Sequence, residues 1–234
     1  MSGGNARKQY LENSFYHLYN RGVEKRLIFL DPQDYGVFLS YLKEYLIPKD
    51  EELLRNMLSD PNLSYRNKDK ILKALRLNNF ANEIKLIAFC LMPNHFHLLI
   101  FQKSLDSIDK FMNSLGTRYT MYFNKKYQRV GKLYQGQYKA VMITTDEQLL
   151  HLTRYIHKQA LALQGVALER EMQEQPSSYL DYIGKRKTDW VHPEEIPKFF
   201  SKTNPKNSYE AFVKEKDFDI INKLILEDTS VEDN

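Results

Sequence analysis

Two apolar segments joined by a short turn constrain the fold of this chain more than any other feature. A predicted strand over 84–91 contains most of the apolar run from Leu86 to Met92, Pro93-Asn94 follows as a turn signal, and a second largely apolar run carrying two histidines continues from His95 to Ile100. Short apolar runs bounded by Pro and Asn are typical of strands. We therefore predict two consecutive strands that pair antiparallel.

The second of these strands carries two histidines, His95 and His97. Because side chains alternate across a strand, both project from one face while Phe96 and Leu98 project from the other. Neutral imidazole is a common ligand of divalent metals, so the pair is a candidate metal site. Two ligands leave such a site incomplete, and a third protein group must come from elsewhere. The alternative is a histidine pair that is satisfied on a half-buried sheet.

Strands and helices alternate along the first 163 residues. Alternating side chains predict further strands at 15–19, closed by a turn at Asn20-Arg21-Gly22, and at 137–143. Apolar residues at helical spacing, with an Asp31-Pro32 cap before the first helix and a capping box at Thr145 and Gln148 before the last, predict three main helices. These helices run from Pro32 up to Pro48, from Leu105 to Phe123, and over 146–163. Two short helical patterns within residues 49–80 predict an inserted helical hairpin.

The last helix combines a buried stripe with a polar face. Its stripe is predicted to consist of five apolar residues: Leu149, Leu152, Ile156, Ala160 and Leu163. His151, Tyr155 and Gln159 follow one another at intervals of four on a neighbouring face, so a phenol and an amide lie one helical turn apart. Tyrosine in a helix is usually a packing residue, and that alternative stays open for Tyr155.

A basic and aromatic stretch indicates nucleic-acid binding. Residues 110–140 contain seven basic residues and no acidic one, interleaved with tyrosines. Basic side chains that follow the phosphates and aromatic rings that stack on bases suit single-stranded nucleic acid. A solvated charged face is the alternative. The residues predicted to contact DNA are Arg118, Lys125, Lys126, Arg129, Lys132, Tyr134 and Lys139.

The composition of the 234-residue chain indicates the compartment in which it works. Its formal net charge is +4. The single cysteine, Cys90, excludes an intramolecular disulfide and fits a reducing compartment. No apolar run approaches the roughly 20 residues that a membrane span needs. We therefore expect a soluble, cytoplasmic protein.

Beyond the last main helix we expect an extension over 164–226, with a weak helix from Tyr209 to Leu226, and a disordered acidic tail over 227–234.

Four segments, taken in order, resemble one protein family. They are residues 15–22, the stretch from Met92 to Leu99, residues 131–135, and Arg154-Tyr155-Ile156. Together they resemble the HUH single-tyrosine transposases, and within them the REP-associated tyrosine transposases, over roughly residues 14–190. The resemblance implies an α+β, ferredoxin-like fold with a central antiparallel sheet, helices packed on it, a helical insertion and a C-terminal extension. The catalytic domain would span 1–163, with the insertion at 49–80.

The resemblance also implies roles for individual residues. Tyr155 would be the nucleophile, and His95, His97 and Gln159 would bind Mg²⁺ or Mn²⁺. Many relatives have Asn-Pro where this chain has Gln159-Ala160, but glutamine is found there in the compact insertion-sequence transposases. The implied reaction cleaves and rejoins single-stranded DNA with hairpin or palindromic repeats through a 5′-phosphotyrosine, in a monomer or a homodimer.

Elementary chemistry agrees with this reading of the site. A tyrosine with an ordinary pKa of about 10 is a poor nucleophile at neutral pH, so a nearby cation must stabilise charge on the phosphate. Two alternatives remain. One is a domesticated or decayed, non-catalytic DNA-binding protein. The other is a two-histidine phosphoesterase, which needs two separate His-x-Ser/Thr motifs, and the six histidines do not supply two.

Overall fold

The computed structural model describes residues 10–162, 176–194, 196–201 and 203–215. The described residues form four strands: β1 (Ser14–Arg21), β2 (Ile84–Met92), β3 (His95–Gln102) and β4 (Lys139–Ile143). They also form seven α-helices: α1 (Pro32–Leu46), α2 (Glu51–Leu58), α3 (Tyr65–Arg76), α4 (Ser107–Lys126), α5 (Asp146–Ala162), α6 (Tyr179–Tyr182) and α7 (Tyr209–Lys214). The predicted acidic tail lies outside the described residues.

The four strands form one sheet in the order β2-β3-β1-β4. All three neighbouring pairs are antiparallel. The two strands around Pro93-Asn94 pair as predicted, with Met92 opposite His95. A β1-α1-β2-β3-α4-β4 chain that folds into this sheet has the ferredoxin-like arrangement. The predicted fold class is therefore confirmed.

Capping residues begin the main helices where the sequence predicts. The Asp31 carboxylate accepts a hydrogen bond from the Asp34 amide at 3.1 Å, which satisfies one of the unpaired N–H groups at the start of α1. At the start of α5, Thr145 Oγ1 accepts from the Gln148 amide at 3.1 Å. Gln148 Oε1 in turn accepts from the Thr144 amide at 2.9 Å, one residue before the partner that a capping box predicts.

The sheet separates two apolar cores. On one face, Leu18, Phe96 and Leu98 pack against α1 and α4. On the other face, Cys90 and Leu99 pack against α5, α6 and α7. The predicted stripe of α5 is confirmed for its buried members Leu149, Leu152, Ile156 and Ala160, whereas Leu163 lies outside the described residues. Because α5 covers the second face, it approaches the side of β3 that carries the histidines.

The predicted helical insertion is present as α2 and α3, and it adds little to the core. In α2 no residue is buried, and in α3 only Ile71 is. The Lys49 ammonium ties the end of α3 to the domain by donating to the carbonyls of Leu75 and Leu77 at 2.9 and 3.0 Å. None of the helices in the described residues combines the length and apolar character that crossing a bilayer requires.

The described part of the C-terminal extension packs along β2 and α5. The Leu91 amide donates to the Pro176 carbonyl at 2.9 Å, and the His192 amide donates to the Leu86 carbonyl at 2.8 Å. The predicted helix from Tyr209 ends earlier than expected, at Lys214, because Glu215 adopts extended backbone. The Glu215 carbonyl instead accepts hydrogen bonds from Arg154 and Lys158 of α5.

Candidate active site

Strand β3 presents His95 and His97 to the face that α5 covers. Phe96 and Leu98 lie in the opposite core, as the alternation of a strand predicts. His97 is buried, and the His95 ring lies 4.9 Å from it, at an interplanar angle of 87°. The two imidazoles therefore form a compact pair on one face of the sheet.

The neighbouring strand β1 brings three further side chains to this face. Tyr19 lies directly opposite His97, and Arg21 lies directly opposite His95. Residues directly opposite each other in an antiparallel pair share a face. His17, two residues before Tyr19, lies on the same face by alternation. His17 and Arg21 were not predicted as site residues, because the register that brings β1 beside β3 is not visible in either segment alone.

His97 is held by a hydrogen bond to His17. The Nε2 atom of His17 lies 2.9 Å from the Nδ1 atom of His97. Burial lowers the pKa of His17 to about 3. Burial also lowers the pKa of His97 well below its usual value, with smaller contributions from His17 and His95. Both rings are therefore neutral at physiological pH, and one of the two nitrogens donates to the other.

His95 is held in the same way by its neighbour in the turn. Asn94 Oδ1 accepts a hydrogen bond from His95 Nδ1 at 2.7 Å. The Asn94 amide group is itself oriented, because its Nδ2 donates to the Lys25 carbonyl at 3.4 Å. Burial, and secondly the charge of Arg21, lower the pKa of His95 to about 4. A neutral ring with a proton on Nδ1 leaves the Nε2 lone pair available to a ligand.

Tyr155 of α5 packs against His97 and His17. Its ring centroid is 5.4 Å from that of His97 and 6.4 Å from that of His17, with edge-to-face geometry in both cases. Burial raises the pKa of the Tyr155 hydroxyl, and nearby Cys90 raises it further. The hydroxyl therefore keeps its proton at neutral pH. Gln159, the predicted third ligand, is half-buried one turn further along α5.

The side chains at this site fit a metal ion only in part. Among the described residues, no three His, Cys, Asp or Glu side chains lie close enough together to hold a metal. The site offers two imidazoles, and Gln159, the predicted third ligand, lies one turn after Tyr155 on α5. His97 Nε2 is buried without a hydrogen-bond partner in the described structure, although buried polar atoms almost always have one. A cation at this nitrogen would satisfy it, so the two histidines fit a divalent metal as part of its ligand set.

Most of the predicted DNA contacts lie away from the histidines. Helix α4, which carries Arg118, Lys125 and Lys126, packs on the opposite face of the sheet. Arg118 donates to Glu44 at 2.7 Å and stacks 3.7 Å from the Tyr41 ring centroid. Two of these three residues are thus engaged within the protein, since Lys126 binds carboxylates of α1 and its cap. Lys125 is exposed.

The remaining predicted contacts lie in the loop between α4 and β4, or on β4. Tyr134 is half-buried and packs edge-on against Phe96 at 5.9 Å, a core contact. Arg129 donates to Asn124 at 3.1 Å, and Lys132 is exposed. Lys139 lies directly opposite Tyr19 on β1, and so shares the face of the histidines. Of the seven predicted contacts, Lys139 is the one that β4 places beside the candidate site.

Comparison with known proteins finds one matching family model and similar solved structures. Residues 61–159 match the family described as IS200-like transposases. In structure, the chain is similar to a REP-associated tyrosine transposase bound to a REP hairpin, with 11% identity and a TM-score of 0.47, over 92% of this chain and 99% of the other.

A second similar structure is that of a candidate transposase from Deinococcus radiodurans R1, with 15% identity and a TM-score of 0.32, over 68% of this chain and 97% of the other. No curated protein matches the chain. The matched segment 61–159 contains the histidine pair, Tyr155 and Gln159. The chain is therefore similar to IS200-like transposases over the segment that carries most of the candidate site.

Proposed function

We propose that this protein cleaves and rejoins single-stranded DNA with Tyr155 as its nucleophile. The Tyr155 oxygen attacks a phosphodiester phosphorus, the bond to the 3′ oxygen breaks, and the DNA becomes attached as a 5′-phosphotyrosine with a free 3′-OH. Attack by another 3′-OH releases the tyrosine and rejoins DNA. The observation that carries the proposal is the position of the Tyr155 ring, 5.4 Å from a buried histidine whose Nε2 is unpaired in the described structure.

The surrounding side chains fit this reaction. The pKa of Tyr155 is raised by burial, so its hydroxyl must lose a proton as the new bond forms. A divalent cation, Mg²⁺ or Mn²⁺, held by His95, His97 and Gln159 would supply positive charge to the phosphate. Helix α5 carries both Tyr155 and Gln159, so one rigid element positions nucleophile and ligand. Arg21 and Lys139 add positive charge on the same face, which suits a phosphate backbone.

We propose single-stranded DNA flanking a hairpin as the substrate, in line with the family that the sequence resembles. No external energy source is needed, because the phosphotyrosine conserves the energy of the broken phosphodiester bond. A two-histidine phosphoesterase finds no support at this site. The one His-x-Thr motif is His151-Leu152-Thr153, and the Thr153 hydroxyl is used within α5, where it donates to the Leu150 carbonyl at 2.7 Å.

Cleavage of DNA from the protein's own locus tests the proposal. The purified chain is incubated with end-labelled single strands containing nearby palindromic repeats, with Mn²⁺, with Mg²⁺ or with a chelator. We expect cleavage with either metal, none with the chelator, and none of the double-stranded form of the same sequence. Binding without cleavage under every metal condition would favour the non-catalytic DNA-binding protein instead.

A further inference from the structure

The hydrogen bond between His17 and His97 has two possible directions, and only one leaves His97 able to bind a metal. If His97 Nδ1 donates to His17 Nε2, then His97 Nε2 carries a lone pair. If His17 Nε2 donates instead, His97 Nε2 carries the proton. The distance of 2.9 Å is compatible with both. The surroundings of His97 Nε2 therefore decide between the two tautomers.

Those surroundings disfavour a proton on His97 Nε2. The atom is buried, and none of the described residues offers it a hydrogen-bond partner. A buried N–H donor without an acceptor costs free energy, whereas a buried lone pair facing a bound cation is satisfied. His95 shows the same arrangement, since Asn94 Oδ1 can only accept and therefore fixes the His95 proton on Nδ1. The two histidines then present equivalent Nε2 atoms.

We infer that His17 is a positioning residue that accepts a hydrogen bond from His97 Nδ1 and so holds His97 in the tautomer that binds metal through Nε2. The metal that this tautomer would bind belongs to the proposed function, on which the inference rests. The geometry of the hydrogen bond between His17 and His97 does not depend on that function. His17 does not act as a third ligand, because its Nε2 is already used by His97. Hydrogen bonds of this kind, from the second nitrogen of a ligating histidine, orient the ring and support metal affinity.

The position of His17 in β1 explains how the sheet supplies this support. His17 lies directly opposite Leu99 and two residues before Tyr19, which lies opposite His97. It therefore reaches His97 diagonally across the β1–β3 pair, and the ring planes are inclined by only 21° at a centroid distance of 5.1 Å. Both rings are buried, so water does not compete for the bond.

Nitrogen NMR of the metal-free protein tests the tautomer directly. Histidine is labelled with ¹⁵N, and the His97 signals are assigned by their loss in His97→Ala. We expect a protonated Nδ1 and an unprotonated Nε2 for His97 in the wild type. A proton on Nε2 would overturn the inference. This readout involves neither metal nor DNA, so it stands even if the wild type fails to cleave DNA, a result that would reject the proposed function alone.

Two substitutions of His17 then test its effect on metal binding. His17→Phe keeps a ring but removes the acceptor, and Mn²⁺ affinity measured by calorimetry should fall by about 10- to 100-fold. His17→Gln provides an amide oxygen near the position of Nε2 and should recover most of the affinity. Wild-type Mn²⁺ affinity in a folded His17→Phe protein would contradict the role. If His17→Phe does not fold, His17→Gln and the wild-type spectrum still decide the question.

Discussion

At the scale of single residues, the candidate site depends on which nitrogen of each imidazole is free. Asn94 binds Nδ1 of His95, and His17 binds Nδ1 of His97. Both contacts direct Nε2 toward a possible ligand. The third predicted ligand, Gln159, differs because it is a neutral amide on a helix rather than an imidazole on the sheet.

Substitutions of the ligands should therefore differ in severity. His95→Ala should abolish metal-dependent cleavage, because one of two imidazoles is lost. Gln159→Ala should lower cleavage on the order of tenfold, since a water molecule can replace a neutral amide. Rates measured at saturating Mn²⁺ separate the two effects. If Gln159→Ala is as inactive as His95→Ala, the amide has a larger role than the one assigned to it.

The residues of the site were predictable to different degrees. His95 and His97 stand one residue apart in a single strand, so alternation alone places them on one face. Tyr155 and Gln159 are four residues apart in one helix, so helical periodicity alone places them on one face. His17 lies 80 residues from His97 in sequence, and its contact depends on the register of β1 against β3. Such a register is a property of the folded sheet and leaves no local signal in the sequence.

At the scale of elements, the basic helix α4 has a structural role as well as the predicted DNA role. Lys126 donates to Asp31 at 2.6 Å and to Asp34 at 2.8 Å. Asp34 is fully buried and also accepts from Tyr122 and Tyr127. This network joins α4 to α1. The sequence does not predict this network, because a run of basic residues gives the same pattern whether its partners are carboxylates of the protein or phosphates of DNA.

Replacing Lys126 should destabilise the fold. Lys126→Met leaves the buried Asp34 carboxylate without its counter-charge, and the free energy of unfolding should fall by about 3 kcal/mol. The matched control is Lys125→Met, an exposed neighbour on the same helix, whose effect should stay within about 0.5 kcal/mol. Urea unfolding followed by circular dichroism measures both. Equal stabilities of the two variants would show that the ion pair contributes nothing.

The same pair of variants tests DNA binding. If Lys125 contacts a phosphate, Lys125→Met should reduce the slope of log K against log salt for single-stranded DNA by about 0.7. A folded Lys126→Met protein should show the wild-type slope, because Lys126 is occupied by carboxylates. Fluorescence anisotropy at several salt concentrations gives these slopes. A larger change for Lys126 would assign that residue to DNA after all.

At the scale of the whole molecule, the C-terminal extension supports helix α5. Ser178 accepts from the Phe89 amide of β2 at 2.9 Å and hydrogen-bonds His157 of α5 at 2.8 Å. The Tyr209 hydroxyl of α7 forms a hydrogen bond with the other ring nitrogen of His157, Nδ1, at 2.6 Å. His157 lies two residues after Tyr155, so strand, helix and extension meet beside the proposed nucleophile. Alternation and caps predicted the strands and main helices of the core, and the family resemblance implied their ferredoxin-like arrangement. The extension has little periodicity, and it predicted only the weak helix that begins at Tyr209.

Removing this link should loosen the extension. Ser178→Ala leaves the Phe89 amide and a His157 nitrogen buried without partners, which should cost about 2 kcal/mol of stability. Thr203→Ala, at an exposed position of the same extension, serves as the control and should be nearly neutral. Thermal melting compares the two. A Ser178→Ala protein as stable as the wild type would mean that the extension is held by its apolar contacts alone.

The central claim is that Tyr155, and none of the other fifteen tyrosines, attacks the DNA. Tyr155→Phe removes one oxygen and should leave folding, Mn²⁺ binding and DNA binding near wild-type levels while abolishing cleavage. Tyr122→Phe, a matched change on α4, should still cleave.

The most direct measurement is peptide mapping of the covalent adduct that wild-type protein forms with labelled single-stranded DNA. We expect the label to survive denaturation and to map to a peptide within residues 146–163. A label on Tyr119 or Tyr122, or a denaturation-stable adduct with Tyr155→Phe, would contradict the central claim.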